Sequence, residues 1–364
     1  MQNTGKNNSF IRVWLPWVIP FTCIAFILLL RLFPAFIETR FSNGAYVAIS
    51  TLQRAFTGLF AISLGDVLYI ATALWLLFKL GRLLYKIFKK QLTRRQFAAN
   101  AGKLTRQLLW VYIVFNLLWA LNYNRLGIAY QLQLQPQPYT RQDLEKLICL
   151  LIDKTNHERR AIGNDSLPQP DVQQIFGQCR VAYDSIALRY PFLRYRQPSV
   201  KSSLFNKWGK YFGFTGYYNP FSGEAQVRTD IPRILLPYTT CHEMAHQLGY
   251  ASESEANFAG YLACSSVQDH YFRYSVYMDL YKYAAYELLE MDPTARHGWE
   301  LDSLVKEDLR QIRVFFMGQQ NKVSPVMNSL YNQYLKANQQ AAGINSYNEV
   351  IGWLIAYYKK YHTL

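Results

Sequence analysis

Three apolar stretches crowd the first 130 residues of the chain, and they limit what it can fold into more than any other feature. Val13 to about Leu30 runs without a charge and carries Pro16 and Pro20 near its start. Val67 to about Phe78 continues past Lys79 and Arg82, whose stems can lie along apolar surface while the charges reach water. Leu108 to Leu121 has Trp110, Trp119 and Tyr123 near its ends, as interfacial anchors. Each approaches the roughly 20 residues that a spanning helix needs. Three transmembrane helices are therefore expected, over about 13–32, 66–88 and 107–124. A cleavable signal peptide is the other reading of the first apolar run, although no clear small-x-small site follows it.

The formal net charge of +15 looks at first like that of a nucleic-acid binder, but its distribution argues otherwise. Residues 1–130 hold 15 Lys/Arg against only Glu38 and Asp66, whereas residues 131–364 hold 24 against 22 Asp/Glu. The basic excess belongs to the apolar part, where membrane topology accounts for it and no nucleic-acid partner is implied. Nine Lys/Arg and no acid lie between Lys79 and Gln107, which places that loop in the cytoplasm together with Lys6 and Arg12. Three spans then put everything after Tyr130 outside. Residues 31–65, amphipathic in part, are expected along the outer face, with Asp66 beside Gly65 marking a membrane boundary. Of five cysteines, Cys149 and Cys179 could pair in such a compartment.

QLQLQPQPYT (131–140) reads as a linker, separating the membrane region, 1–130, from a domain over 141–364. Two helical patterns follow, at about Arg141–Arg160 and Asp171–Tyr190. VKSSLF reads as a short strand, and GYYNPFSGEAQVR as a hairpin with Asn-Pro opening the turn and Gly223 closing it. From Pro237 to about Tyr358 the chain is helical again, with breaks near Gly249, Pro293, Pro325 and Gly343. The expected fold class is an α-helical membrane region plus a mainly α (α+β) domain with a small antiparallel sheet.

Within that last region stands HEMAHQLGYASESEAN, residues 242–257. On a helix His242 and His246 are one turn apart and can reach one ion, with Glu243 about 100° round from His242 where a general base must be. Catalytic zinc takes three protein ligands and one water, so a third ligand is needed. On a straight helix Glu253 would lie about 10.5 Å beyond His246. Gly249 supplies the break that lets the chain turn and start a second helix. Ser252 to Glu255 matches the capping box S-x-x-E, which gives Glu255 a structural task. Glu253 has Asn257 one turn along its face, placed to hold the other nitrogen of a ligand histidine. Glu253 is therefore expected as the ligand ahead of Glu255.

HExxH followed by E-x-x-A-N resembles the zincin metallopeptidases of the gluzincin type. More closely, three N-terminal spans, then YYNPFSGEA, then CHEMAHQLGYASESEANFAGYLA, resemble a bacterial family of membrane proteins of unassigned function with a zincin-like domain. The likeness covers nearly the whole chain, and its specific part is Gly216–Cys264. It implies one zinc ion on His242, His246 and Glu253, with Asn257 behind a ligand histidine and Glu243 as the base that hydrolyses a peptide bond. Only six residues separate His246 from Glu253, fewer than in the soluble peptidases. His270 and Tyr274 are candidates for stabilising the oxyanion. Tyr218, Asn219, Glu224 and Arg228, on the hairpin from Tyr217 to Arg228, are candidates for binding a peptide or protein substrate by strand addition. The expected location is the bacterial cytoplasmic membrane, multi-pass, with the C-terminal domain extracytoplasmic. The alternative is a non-catalytic metal-binding sensor or assembly factor. The oligomeric state is open.

Overall fold

The computed structural model describes residues 4–163, 166–295, 300–338, 340, 341, 343 and 349–364, with residues 4–13 described by their backbone alone. The apolar stretches are helices: α1 (Thr4–Leu30), the three-residue α2 (Pro34–Phe36), a π-helical run over Ile37–Ala45, α3 (Tyr46–Thr57), α4 (Leu64–Phe88) and α5 (Arg94–Leu118). Ser63 caps α4 by accepting from the Asp66 amide at 3.0 Å, and Thr93 with Gln96 forms a capping box on α5.

Among the described residues one helix, α4, is long and apolar enough to cross a membrane, and the protein buries none of its apolar window. At about 1.5 Å per residue it exceeds the ~30 Å of a hydrocarbon core. Trp14–Leu30 and Pro34–Thr57 pass the same test only together, as a pair bent by 96°. One or two helices can thus span a membrane. The third expected span falls short by itself. Arg94, Arg95, Lys103 and Arg106 occupy the first half of α5, and the apolar run from Leu108 ends in a 3-10 turn, Ala120–Asn124, that is largely buried in protein.

Residues 46–57 are turned in an unexpected way. The buried face of α3 is Tyr46, Ser50, Arg54 and Thr57, while Val47, Leu52 and Phe56 face outward. Within the inward stripe, Tyr46 and Arg54 bond backbone carbonyls of the C-terminal part and Thr57 meets Ser199 Oγ. The apolar stripe is left for the surroundings.

After α6 (Gly127–Leu132) the expected linker has no regular structure over 134–140, yet Leu132 and Leu134 are buried in the main core. The helices expected next are α7 (Arg141–Ile162) and α8 (Val172–Arg189), each starting from a capping box, at Thr140 and Asp171. The strands are β1 (Val200–Ser202), β2 (Gly216–Asn219) and β3 (Glu224–Val227), with a short α9 (Gly209–Phe212) between the first two. The sheet is mixed rather than antiparallel. Its order is β1-β3-β2, with β2 antiparallel to β3 and β1 parallel to it. The hairpin fixes β2 on one edge of β3, and the helical crossover through α9 returns the chain so that β1 and β3 run the same way.

The remaining helices are α10 (Leu236–Gln247), α11 (Glu253–Ser266), α12 (His270–Met291), α13 (Ser303–Met317), α14 (Ser324–Ala337) and α15 (Val350–Tyr361). α7 packs along α12 and α10 along α11, with α8 against both members of the second pair. Leu144, Leu151, Tyr183, Met244, Phe258 and Ala259 lie at the centre of the resulting core. All five cysteines are free; Cys149 is exposed and Cys179 buried, so the disulfide considered for them does not form.

Candidate metal centre

Pro237 stands in the first turn of α10, where its missing amide hydrogen leaves no bond unmade. Every residue from Thr240 to Gln247 is buried, so His242, Glu243 and His246 sit on an interior helix and not on a solvated face. The helix stops as the glycine requires. Gly249 has φ +88°, its amide donates to His246 O at 2.9 Å, and the Tyr250 amide donates to Ala245 O at 3.2 Å. That pair of bonds is the Schellman ending. The chain turns, and Glu253 becomes the first residue of α11. α11 then lies closely on α10 because residue 260 is glycine: a Cβ there would stand 3.1 Å from His242 N and 3.3 Å from its Cα.

His242 Nδ1 lies 2.8 Å from Asn257 Oδ1, and His246 Nδ1 lies 2.7 Å from Tyr250 O. These oxygens only accept, so each Nδ1 carries the hydrogen and each Nε2 of the neutral ring keeps a lone pair. The two Nε2 atoms meet Glu253 Oε2 at 3.1 and 3.5 Å. Three atoms with lone pairs converging this closely repel one another unless a positive charge stands between them. Glu253 Oε2 is buried and has no directed hydrogen bond among the described residues, while its Oε1 accepts from Tyr331 at 2.7 Å. His242, His246 and Glu253 form a group that could hold a metal ion.

With no cation between them, the same three groups compete for a proton instead. Burial works against an imidazolium at His246, but Glu253 outweighs it and lifts the ring to about 9. Burial likewise raises the Glu253 carboxyl, and the two histidines overcome this to hold it well below the usual range. Glu243 differs: burial pushes it up, the histidines only partly offset this, and Glu253 adds to it, leaving about 7. Its Oε2 is buried with no hydrogen-bond partner among the described residues. Gly216, first residue of β2, packs on this carboxylate so closely that a Cβ would lie 2.5 Å from Oε1.

The other residues singled out from the sequence lie as follows. Glu255 does not close a capping box, since Ser252 makes no side-chain cap and instead meets Ser254 Oγ. Glu255 accepts from the Ile128 amide at 2.9 Å, at the start of α6. The structural task is real but belongs to another helix. His270 bonds Glu158 at 2.6 Å on α7, and Tyr274 donates to Asp308, which also pairs with Arg159. Both are committed at the α7–α12–α13 interface. Tyr218 is buried against Trp119 and Tyr46. Asn219 closes the hairpin by accepting from the Phe221 and Ser222 amides. Glu224 accepts from the Leu64 and Gly65 amides at 3.0 and 2.5 Å, capping α4, and Arg228 pairs with Asp230 and Gln319. Since β3 is bonded on both sides, β2 is the hairpin's edge strand, with Gly216 and Tyr217 partly exposed and Tyr218 and Asn219 buried.

What sequence reasoning missed is the other end of α10. Arg54 donates to Gln247 O at 2.7 Å, Tyr46 to His246 O at 3.3 Å, Trp119 Nε1 to His246 O at 3.4 Å and Arg125 to Gly249 O at 3.2 Å. Cations and donors at a helix C-terminus satisfy its open carbonyls and complement its dipole. The only trace of this in the sequence is the polar stripe of Tyr46, Ser50, Arg54 and Thr57 inside an apolar segment. Tyr331 left no trace among 28 tyrosines.

The family described as "Protein of unknown function (DUF3810)" matches residues 41–355. The chain belongs to that family. The matched stretch starts ahead of α3 and runs past α14, so the family unit includes both the helices that carry the candidate ligands and those that cap them. No curated protein and no solved structure matches the chain.

Proposed function

We propose that this protein is a membrane-anchored, zinc-dependent peptidase whose C-terminal part carries a zincin-like centre. The observation that carries the reading is the convergence of His242 Nε2, His246 Nε2 and Glu253 Oε2, with both Nδ1 atoms already committed, beside the unpartnered Glu243. Two imidazoles and a carboxylate are a donor set of catalytic zinc sites that keep one position open. Zinc held there supplies Lewis acidity to a scissile carbonyl and to the water that attacks it. Glu243 takes the water proton on Oε2 as the oxygen bonds the carbonyl carbon. The C–N bond then breaks, and Glu243 returns the proton to the leaving nitrogen. Burial, by raising the carboxyl towards neutrality, makes it a base that can also give the proton back.

A non-catalytic metal sensor needs the three ligands but has no use for Glu243. An ionised carboxylate buried without a partner costs several kcal/mol, of order ~3, and nothing structural returns that cost. In this reading α1, α4 and α5 anchor the chain in the bacterial cytoplasmic membrane. The start of α4 and the end of α5 both adjoin the centre, so α5 retraces whatever width α4 crosses. The basic residues from Lys79 to Arg106 put their far ends in the cytoplasm and the centre on the other side.

Metal analysis of the full chain tests the reading. One zinc per chain is expected, lost in His246→Ala and in Glu253→Gln and kept in Glu255→Gln, whose amide oxygen can still accept from Ile128. Retention in Glu253→Gln with loss in Glu255→Gln would overturn the ligand set. Tyr331→Phe, which frees Oε1 of the ligand carboxylate, is expected to weaken zinc binding about 10- to 100-fold in competition with a chelator, with unchanged circular dichroism.

A further inference from the structure

We propose that the substrate of this centre is a polypeptide itself anchored in the membrane, cut within a few residues of where it leaves the bilayer. The inference rests on the peptidase reading above and names its substrate class.

Three N-terminal elements bring apolar, outward-facing surface directly to the ligand helix. The first is α3. Its inner face bonds the carbonyls of His246 and Gln247, while Val47, Leu52 and Phe56 are exposed on the other. A helix is about 10 Å across, so a metal-ligand residue lies one helix from a surface suited to lipid. The second is α5, whose Val111, Val114 and Leu117 are exposed. Trp119, next after its last residue, donates to His246 O and sets its ring edge-on to the His246 ring at 6.0 Å. The third is α4. Tyr217 donates to Asp66 in its first turn at 2.6 Å, and Gly216, the residue before Tyr217, packs on Glu243. Adjacent Cα atoms are about 3.8 Å apart, so one step along β2 joins the general base to the foot of the spanning helix. From Val67 to Phe78 that helix is apolar and exposed.

The open edge of the sheet leads to the same place. β2 runs from Glu243 to a turn whose Phe221 packs on Phe115 of α5 at 6.4 Å and whose Pro220 and Phe221 carbonyls are held by Gln53 of α3. A chain rising out of the bilayer beside α5 comes to that turn; Tyr218 and Asn219 are buried, so main-chain pairing would be with the partly exposed Gly216 and Tyr217 of this edge strand, beside the base. Extended chain rises about 3.3 Å per residue, so about five residues cover the distance. The ligands themselves are nearly enclosed, with His242 8%, His246 5% and Glu253 5% exposed, and Tyr331 of α14 lies against Glu253. A folded soluble protein cannot reach them, whereas an extended segment held in the same bilayer is delivered at high effective concentration. The strand edge favours a polypeptide over a lipid acyl bond, for which no main-chain pairing exists.

The test uses the full zinc-loaded chain in lipid vesicles. The reporter is a single leucine–alanine helix of about 20 residues followed by a degenerate segment of about ten. It is compared with the same segment free in solution and with one moved outward by a spacer of about 15 Gly/Ser residues. We expect the anchored reporter to be cut at least about tenfold faster than the free segment, with mass spectrometry placing the cuts within about five residues of the helix. We expect the spacer to abolish cutting in the displaced segment. Equal rates for anchored and free segments, or undiminished cutting beyond the spacer, overturn the anchored-substrate inference and leave the peptidase reading standing. Hydrolysis of vesicle lipid with all peptides intact, or no turnover in any arm, overturns both.

Discussion

A chain cut at Gln131, so that residues 1–130 are removed, is expected to lose the metal centre and to fail to fold. The cut takes away Arg54, which bonds Gln247 O and also the Arg196 and Gln197 carbonyls, together with Tyr46, Trp119 and Arg125 on the end of α10. It also removes the backbone amides that satisfy Glu224 and Glu255. Each buried group left without its partner costs about 1–3 kcal/mol, more for a charge. Half a dozen of them rival the ~5–15 kcal/mol that holds a domain together. Solubility, circular dichroism and zinc content of the shortened chain check this. A folded, zinc-binding fragment would mean that the N-terminal helices are only an anchor.

Glu243→Gln is expected to leave zinc content and folding intact and to lower hydrolysis of the anchored reporter by about 10²–10⁴-fold, the range for a general base. The substitution keeps the shape that Gly216 packs against and removes only the proton acceptor. It also removes the cost of a carboxylate buried without a partner, so the zinc-free protein is expected to melt no lower than wild type. Glu243→Ala tests less, because it also opens a cavity beneath Gly216. Hydrolysis by Glu243→Gln at the wild-type rate would assign proton transfer to another group.

Several parts of this molecule were legible because their signals are local. Apolar runs, the Asn-Pro turn and the helix-ending glycine at 249 each act within a few residues, and helices, a hairpin and a helix end appear at them. The spacing of His242 and His246 is likewise a property of one helix. One-turn spacing on α11 set Asn257 beside Glu253, and its Oδ1 lies 2.8 Å from His242 Nδ1.

Reasoning from local pattern was weakest where a residue's partner is distant in the chain. Ser252 to Glu255 reads as a capping box, yet Glu255 finds better use at Ile128, 127 residues away. Glu224 and Arg228 read as candidates for binding substrate, but Glu224 bonds the amides at the start of α4 and Arg228 bonds Asp230 and Gln319. β1 reads as a neighbour in an antiparallel sheet and instead joins the far edge of β3 in parallel.

The division has a physical basis. Helix period, turn chemistry and the need to keep apolar residues from water are set by covalent neighbours, so the chain alone determined its helices, its hairpin and a pair of histidines able to share an ion. Which buried carboxylate is satisfied by which amide is a competition among all groups in reach, and reach is decided by packing. Only the tertiary structure could decide that Glu253 meets both histidines while Glu255 turns away. Only it could show that the carbonyls behind His246 are held by Arg54, Tyr46 and Trp119, making the N-terminal helices a wall of the candidate centre.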